Sequence, residues 1–196
     1  MINRKFFFDN VRNTLFNGRF TQNQVNGISA ILNEWEERYS RKDDRWLAYM
    51  LATTHHETDK TMQPIEEYGK GRQKKYGQRL KMSGQPYSNT DQIFYGRGFV
   101  QLTWYENYER AGRKLGVGDA FLRNASLVMQ LTNATKIMFT GMIEGWFTGK
   151  KLSDYFNNDK EQWPNARKII NGTDRAALIA DIAKRYYACI SYTTGA

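Results

Sequence analysis

Apolar residues recur at helical spacing in several stretches of the chain, on both sides of a segment with a different texture. Residues 21–38 carry one apolar stripe, and Thr21 stands where its hydroxyl can cap the first turn. Residues 44–56 carry a second stripe. Beyond residue 103 the pattern predicts helices over 104–115, 127–146 and 174–191, with Thr103 capping the first and the Thr173-Asp174 pair starting the last.

The segment from residue 58 to about 100 lacks this period. Glycines at 69, 71, 77, 84, 96 and 98, together with Pro64 and Pro86, interrupt it, which is typical of turns and short strands. We expect strands near 62–68 and 83–87, in a small irregular or hairpin-bearing lobe. The chain is therefore predicted to be mainly α, with two helical lobes around a cleft, in one domain over 1–196 whose small lobe covers about 58–100.

The charge of the chain indicates the class of its partner, and its single cysteine indicates a buried thiol. The net charge of +9 favours an acidic partner, such as nucleic acid, an anionic membrane or an acidic polysaccharide. The single cysteine, Cys189, lies in an apolar helical pattern and is predicted to be a buried, inert thiol. The apolar run at Phe6, Phe7 and Phe8 is too short for a signal peptide, so we expect synthesis in a cytoplasm without one.

The two adjacent histidines do not form a known metal motif. A zinc-protease helix requires His-Glu-x-x-His, and after His56 and Glu57 the second histidine position holds Lys60. The sequence has no other Cys/His cluster and no phosphate-loop pattern. We therefore expect neither a metal nor a cofactor.

Carboxylates are the remaining candidates for chemistry. Glu57 follows an apolar helical stretch, where the helix end and burial would both disfavour the ionised carboxylate and suit a general acid. A surface glutamate that happens to end a helix would give the same pattern. Glu66 and Glu67 supply a possible second carboxylate, as glycoside hydrolysis requires, or two solvated loop charges. Spacing alone does not decide between these interpretations.

Three motifs, in order, resemble those of family 19 glycoside hydrolases, the plant-type chitinases and their phage endolysin relatives. Residues 55–58, His-His-Glu-Thr, are similar to the family's Ser/His-His-Glu-Thr signature. Residues 95–104, Tyr-Gly-Arg-Gly-Phe-Val-Gln-Leu-Thr-Trp, followed by Asn107 and Tyr108, are similar to its Tyr-Gly-Arg-Gly motif. Residues 166–172, Ala-Arg-Lys-Ile-Ile-Asn-Gly, resemble its Ile-Ile-Asn-Gly segment.

The resemblance implies a lysozyme-like α+β fold and an inverting mechanism, with two carboxyls roughly 6.5–9.5 Å apart and a water between them. It implies Glu57 as general acid, Glu67 as general base with Glu66 as the alternative, and Thr103 as a residue that holds the attacking water. The implied substrate-binding positions follow the same motifs, with the last two in supporting roles: Gln101, Tyr108, Asn171, Tyr95 and His56.

Departures from the plant enzymes favour a phage-type endolysin. The chain lacks their disulfides and long loops, and residues 62–65 resemble phage members. We therefore expect a muramidase that cuts the β-1,4 bond between N-acetylmuramic acid and N-acetylglucosamine to lyse a bacterial host. The predicted partner is peptidoglycan, not nucleic acid, with electrostatic contact to the anionic envelope. We expect a monomer that reaches the wall with a separate membrane-permeabilising partner.

Two other classes stay open at this point. A chitinase would cut the same linkage in a neutral polymer. A non-catalytic wall-binding or nucleic-acid-binding protein would use the mixed basic and aromatic residues at 71–76, although such a cluster is more often a solvated face. The joint presence of Glu57, Glu67 and Thr103 argues against the second class.

Overall fold

A computed structural model describes residues 1–193, which contain seven α-helices and two short strand pairs joined by turns and irregular segments. The mainly α fold predicted from the sequence is confirmed. No helix within those residues is both long and apolar enough to traverse a bilayer. The chain divides into two compact units, of which the first combines Met1–Met62 with the chain from Met142 onward and the second is Gln63–Gly141.

The first unit is mainly helical. It contains α1 (Arg4–Leu15), α2 (Gln22–Glu34) with a following π-helical turn (Trp35–Tyr39), α3 (Asp44–Glu57) and α7 (Ala176–Ala188). Helix α3 is buried almost all round from Leu47 to His55 and packs mainly against α7. Helix α1, which the apolar pattern did not predict, also packs against α7.

Several predicted helix ends are confirmed or corrected in this unit. Thr21 caps α2 in a capping box with Gln24, as the sequence predicted. The Thr173-Asp174 pair does not start α7, because its N-cap is Arg175 in a left-handed conformation with no side-chain cap. A strand pair absent from the predictions, β3 (Phe156–Asn157) with β4 (Lys160–Glu161), precedes α7 in the chain.

The first and last described residues of this unit are hydrogen-bonded to each other. Ile2 and Tyr192 form an antiparallel bridge. The Asn3 amide donates to the Ser191 carbonyl at 2.7 Å, and the Thr193 amide donates to the Met1 carbonyl at 3.0 Å. The chain therefore starts and finishes its described course at one point of the surface.

The second unit begins with the irregular segment and continues into helices. Strand β1 (Ile65–Glu66) pairs antiparallel with β2 (Arg97–Gly98), and a 3-10 turn (Lys75–Gln78) lies between them. Helices α4 (Tyr105–Lys114), α5 (Ala120–Arg123) and the start of α6 (Leu131–Glu144) follow. The strand predicted near 62–68 is β1, whereas the one predicted near 83–87 is only a single bridge between Leu80 and Pro86.

Two predicted helices are shorter than the pattern indicated. Residues 127–146 divide into a 3-10 turn (Ala125–Met129) and α6, because Gln130 is extended and Gly145, at φ +79°, ends the helix. Trp104, at φ +78°, occupies the N-cap position of α4, and its side chain forms no capping hydrogen bond. Thr103 is therefore not its cap, and the hydroxyl has another role.

Candidate functional site

Glu57 is the last residue of α3, and the turn after it is fixed by its neighbour in the signature. The buried Thr58 hydroxyl donates to the Thr54 carbonyl at 2.7 Å and accepts from the Met62 amide at 3.1 Å. These bonds satisfy polar groups that a helix end would otherwise leave without partners. The threonine of the signature thus holds the backbone that carries Glu57.

A buried arginine contacts the Glu57 carboxylate. Nη1 of Arg167 donates to Oε1 of Glu57 at 2.6 Å, and the two side chains are 3% and 15% exposed. The Nε of Arg167 donates to the Asp174 carbonyl at 3.1 Å, which fixes the guanidinium. A guanidinium at this distance stabilises negative charge on the carboxylate, an effect that the helix-end argument did not anticipate.

The two histidines have different surroundings. His55 is buried, with Nδ1 3.1 Å from the Tyr186 hydroxyl, and burial, aided by the nearby charge of Lys60, lowers the pKa of its imidazole to about 4. His56 is half-buried and lines a pocket of about 370 Å³ with residues of the α1 end and α7. Burial also lowers the pKa of His56, although the Glu57 carboxylate opposes that shift.

His55 should make the fold sensitive to mild acid. Its pKa is about 4 in the folded chain and 6.5 ordinarily, so the unfolded chain binds the proton first as the pH falls. Stability should therefore decrease from pH 6.5 towards pH 4, by about 3 kcal/mol from this residue alone. NMR titration of the His55 ring tests the cause directly, and a midpoint near 6.5 would contradict it.

In the second unit, Glu66 is enclosed by groups that favour its ionised form. Its Oε1 accepts from the Tyr95 hydroxyl at 2.8 Å and from Nε of Arg97 at 3.2 Å, and Oε2 lies 3.3 Å from Nζ of Lys70. Burial alone would raise the pKa of Glu66, but these three contacts together outweigh it and hold the pKa below its ordinary 4.5. Glu66 is thus the charge partner of Arg97, which is only 6% exposed.

Glu67 follows β1 directly and is held by neutral donors. Both carboxylate oxygens lie 3.1 Å from the Tyr76 hydroxyl, and Oε2 also accepts from the Gly96 amide at 3.1 Å. The Glu67 amide in turn donates to the Gly96 carbonyl at 2.7 Å. Glu67 therefore keeps a fixed position without a cation bound to its carboxylate.

Gln101 and Thr103 also lie close to Gly96, the residue whose amide donates to Glu67. A side chain at position 96 would place its first carbon 2.7 Å from Oε1 of Gln101 and 3.3 Å from Oγ1 of Thr103, so the absence of one allows this approach. The Thr103 hydroxyl donates to the Gln101 carbonyl at 2.7 Å. Its proton is thus committed, and its lone pairs are available to accept from a water molecule.

The predicted substrate-binding residues differ in accessibility. Asn171 is exposed, and its backbone amide donates to the backbone carbonyl of Arg167 at 3.0 Å. The Gln101 amide group donates to the Ile65 carbonyl at 3.1 Å. Tyr108 is fully buried and bonded to Arg97 and the Tyr95 carbonyl, so in this structure it supports the Tyr-Gly-Arg-Gly segment and presents no surface to a glycan.

The sequence motifs did not predict the roles of three residues that contact the carboxylates. Arg167 contacts Glu57, Arg97 contacts Glu66, and Tyr76 contacts Glu67. The position of Arg167 beside Ala166 and close to Ile169 was a usable signal, because an arginine buried among apolar residues requires a carboxylate or carbonyl partner. For metal binding, residues 1–193 contain no suitable group of three or more His, Cys, Asp or Glu side chains.

Comparisons with known proteins place the chain in a family. Residues 35–174 match the profile of glycoside hydrolase family 19, described as chitinase class I. A stretch of 35 residues is 54% identical to the acidic 26 kDa endochitinase of Solanum lycopersicum, which is 18% of this chain and only 14% of that protein. An endochitinase of Solanum chilense matches to the same extent.

Solved structures share the fold. Chitinase C from Streptomyces griseus superimposes with a TM-score of 0.66 at 20% identity, over 94% of this chain and 74% of that one. The class IV chitinase of Zea mays superimposes with a TM-score of 0.54 at 18% identity, over 91% and 88%. These identities support likeness of fold, while the profile match covers most of the chain. The chain is therefore a member of glycoside hydrolase family 19, the chitinase class I family.

Proposed function

We propose that this protein is a peptidoglycan-cleaving glycoside hydrolase, a muramidase of the endolysin type. The observation that carries the proposal is the Glu67 carboxylate, held by neutral donors on Gly96 with the Thr103 hydroxyl beside the same glycine. A carboxylate bonded to Gly96 and a hydroxyl close to the same glycine are suited to orienting and deprotonating a water molecule. Membership of family 19 supports this chemistry.

We assign Glu57 the role of general acid. It would donate its proton to the glycosidic oxygen as the bond to the leaving sugar breaks. The Arg167 guanidinium, 2.6 Å from Oε1, would stabilise the negative charge that remains on Glu57 after that transfer. Asn171, exposed and bonded to the backbone of Arg167, is suited to contacting the glycan.

Glu67 is assigned the general base in preference to Glu66. A base must accept a proton, and the contacts of Glu66 with Arg97, Lys70 and Tyr95 lower its pKa and occupy both oxygens. The donors to Glu67 carry no charge. Glu67 is also bonded to Gly96, and Thr103, the residue assigned to hold the attacking water, lies close to the same glycine.

Peptidoglycan is preferred to chitin because of the net charge of +9, which favours a polymer that carries carboxylates. Chitin is the second candidate, because the relatives named above are chitinases. The test measures wild-type turnover of purified peptidoglycan and of chitin oligosaccharides side by side. We expect faster turnover of peptidoglycan, and cleavage of chitin oligosaccharides alone would replace the muramidase proposal with a chitinase.

The stereochemistry of the product tests the mechanism separately. Inversion by a water attacking opposite the leaving group converts the β-linkage into an α-anomeric product. NMR of the first products from a soluble glycan, recorded before mutarotation, should therefore show the α-anomer. An initial β-anomer would indicate a covalent or substrate-assisted route and would remove the water-holding role of Thr103.

A further inference from the structure

One segment next to Glu67 concentrates positive charge beyond what the catalytic chemistry needs. Residues 68–81 contain six lysines and arginines and no aspartate or glutamate, although the whole chain has 29 basic and 20 acidic residues. Some of these cations have partners, such as Lys70 on Glu66 and Arg79 on Asp91. The side chains of Arg72, Lys74 and Lys75 are exposed and form no ion pair among the described residues.

The first part of this segment, residues 68–75, forms a basic loop. The backbone of the basic loop is tightly folded. Successive turns are closed by amide donors at Lys70, Arg72 and Lys74 to carbonyls three residues earlier, at 2.9–3.0 Å. A side chain at Gly77 would meet the Gly71 carbonyl oxygen at 1.8 Å, so the backbone packs on itself there. Tyr76, which follows the loop, is bonded to Glu67, so the unpaired cations stand on a backbone fixed relative to that carboxylate.

An exposed aromatic side chain is a second, independent feature of the loop. Tyr68 follows Glu67 directly and is 88% exposed. A tyrosine ring left in water at this position is suited to packing against the apolar face of a sugar, with its hydroxyl still solvated. The order along the chain is therefore a carboxylate, an aromatic ring and then three unpaired cations.

We propose that the basic loop binds the peptide stems of peptidoglycan, with Arg72, Lys74 and Lys75 contacting stem carboxylates and Tyr68 packing on the adjoining sugar. The position beside Glu67 favours the stems over other wall polyanions, because stems are attached to the sugars of the strand being cut. Chitin has no such groups, so the loop would supply the preference for peptidoglycan. This inference rests on the proposed function.

The test measures binding in a Glu57→Gln background, in which hydrolysis does not consume the ligand. Three soluble ligands of equal length are compared: glycan strands with stem peptides and free of teichoic acid, the same strands after an amidase has removed the stems, and chitin oligosaccharides. The loop variant replaces Arg72, Lys74 and Lys75 with glutamine. Its matched control replaces three exposed lysines of the other unit with glutamine, namely Lys150, Lys160 and Lys184, so the net charge falls equally.

The loop variant should raise the Kd for stem-bearing strands about tenfold, since three exposed ion pairs each contribute a few-fold, and should change the other two Kd values less than about twofold. The control should change every Kd less than about twofold. Tyr68→Ala should weaken the binding of all three ligands, and Tyr68→Phe should bind them as tightly as Tyr68 does. Equal effects of loop and control variants, or equal effects on stem-bearing and stem-free strands, would overturn the proposal.

Hydrolysis by the wild-type protein, measured separately, keeps this inference distinct from the proposed function. Stem-dependent binding through the loop without cleavage of peptidoglycan would refute the muramidase and leave the inference standing. Cleavage of stem-bearing strands together with an unchanged Kd in the loop variant would refute the inference and leave the muramidase standing.

Discussion

Replacing Glu57 with glutamine should reduce peptidoglycan hydrolysis by at least about 100-fold, because the carboxamide has no proton to donate to the leaving oxygen. The carboxamide oxygen can still accept from Arg167, so the fold should persist. The buried guanidinium nevertheless loses its charge partner, and we expect the free energy of unfolding to fall by about 1–3 kcal/mol. Turbidity loss of wall preparations gives the activity, and urea unfolding gives the stability.

The matched control is Glu37→Gln, which removes the same charge from an exposed residue of the π-helical turn. Its activity and stability should stay close to those of the wild type. Near-normal hydrolysis by the Glu57 variant would remove the general-acid assignment. A variant that is unfolded at the assay temperature would show that the Arg167 contact is chiefly structural, and Arg167→Gln combined with Glu57→Gln would then recover the fold without recovering activity.

Glu67→Gln should likewise lower activity by at least about 100-fold, but with little change in stability. Its neutral donors, the Tyr76 hydroxyl and the Gly96 amide, can bond to a carboxamide oxygen as they do to the carboxylate. The variant therefore loses the proton acceptor and keeps the local structure. Hydrolysis rates and unfolding free energies measured on the same preparations check both parts.

Glu66→Gln is the matched control, and it should show the opposite pattern. It should keep most of the activity and lose stability, because Arg97 is buried and loses its charge partner. The folded pKa of Glu66 lies below 4.5, so the stabilisation from its charge is complete at neutral pH and disappears as the pH falls below about 4.5. The stability gap between wild type and variant should therefore narrow as the pH falls below about 4.5. An inactive Glu66 variant beside an active Glu67 variant would reverse the assignment of the base.

Features set by neighbouring residues were predictable from the sequence. The start of α2 follows from Thr21 and Gln24, three positions apart, and the apolar stripe over 44–56 predicted α3, which is buried almost all round from Leu47 to His55. Helix α1 was missed because Phe6, Phe7 and Phe8 show no helical period. Only Phe7 and Val11 of α1 are fully buried, whereas Phe6 is 42% exposed.

The contacts of the candidate site depend on distant parts of the chain. Arg167 lies 110 positions after Glu57, and Arg97 lies 31 positions after Glu66, so no local rule pairs them. Thr103 was expected to cap α4 because it directly precedes the predicted helix over 104–115. Trp104, at a positive φ of +78°, instead occupies the cap position, and the Thr103 hydroxyl donates to the Gln101 carbonyl. Motif resemblance named the carboxylates and favoured Glu67 over Glu66 as the base, but it did not predict the donors that surround each of them.

The pairing of residues 1–3 with residues 191–193 has a practical consequence for the order of the chain. Because these segments are already hydrogen-bonded, a short linker after Thr193 could join them at little entropic cost. The resulting circle could be opened at the exposed turn of Asn158 and Asp159, between β3 and β4. A circular permutant of this kind would carry new termini on a different part of the first unit, and so would allow a fused module to be attached there without altering either carboxylate.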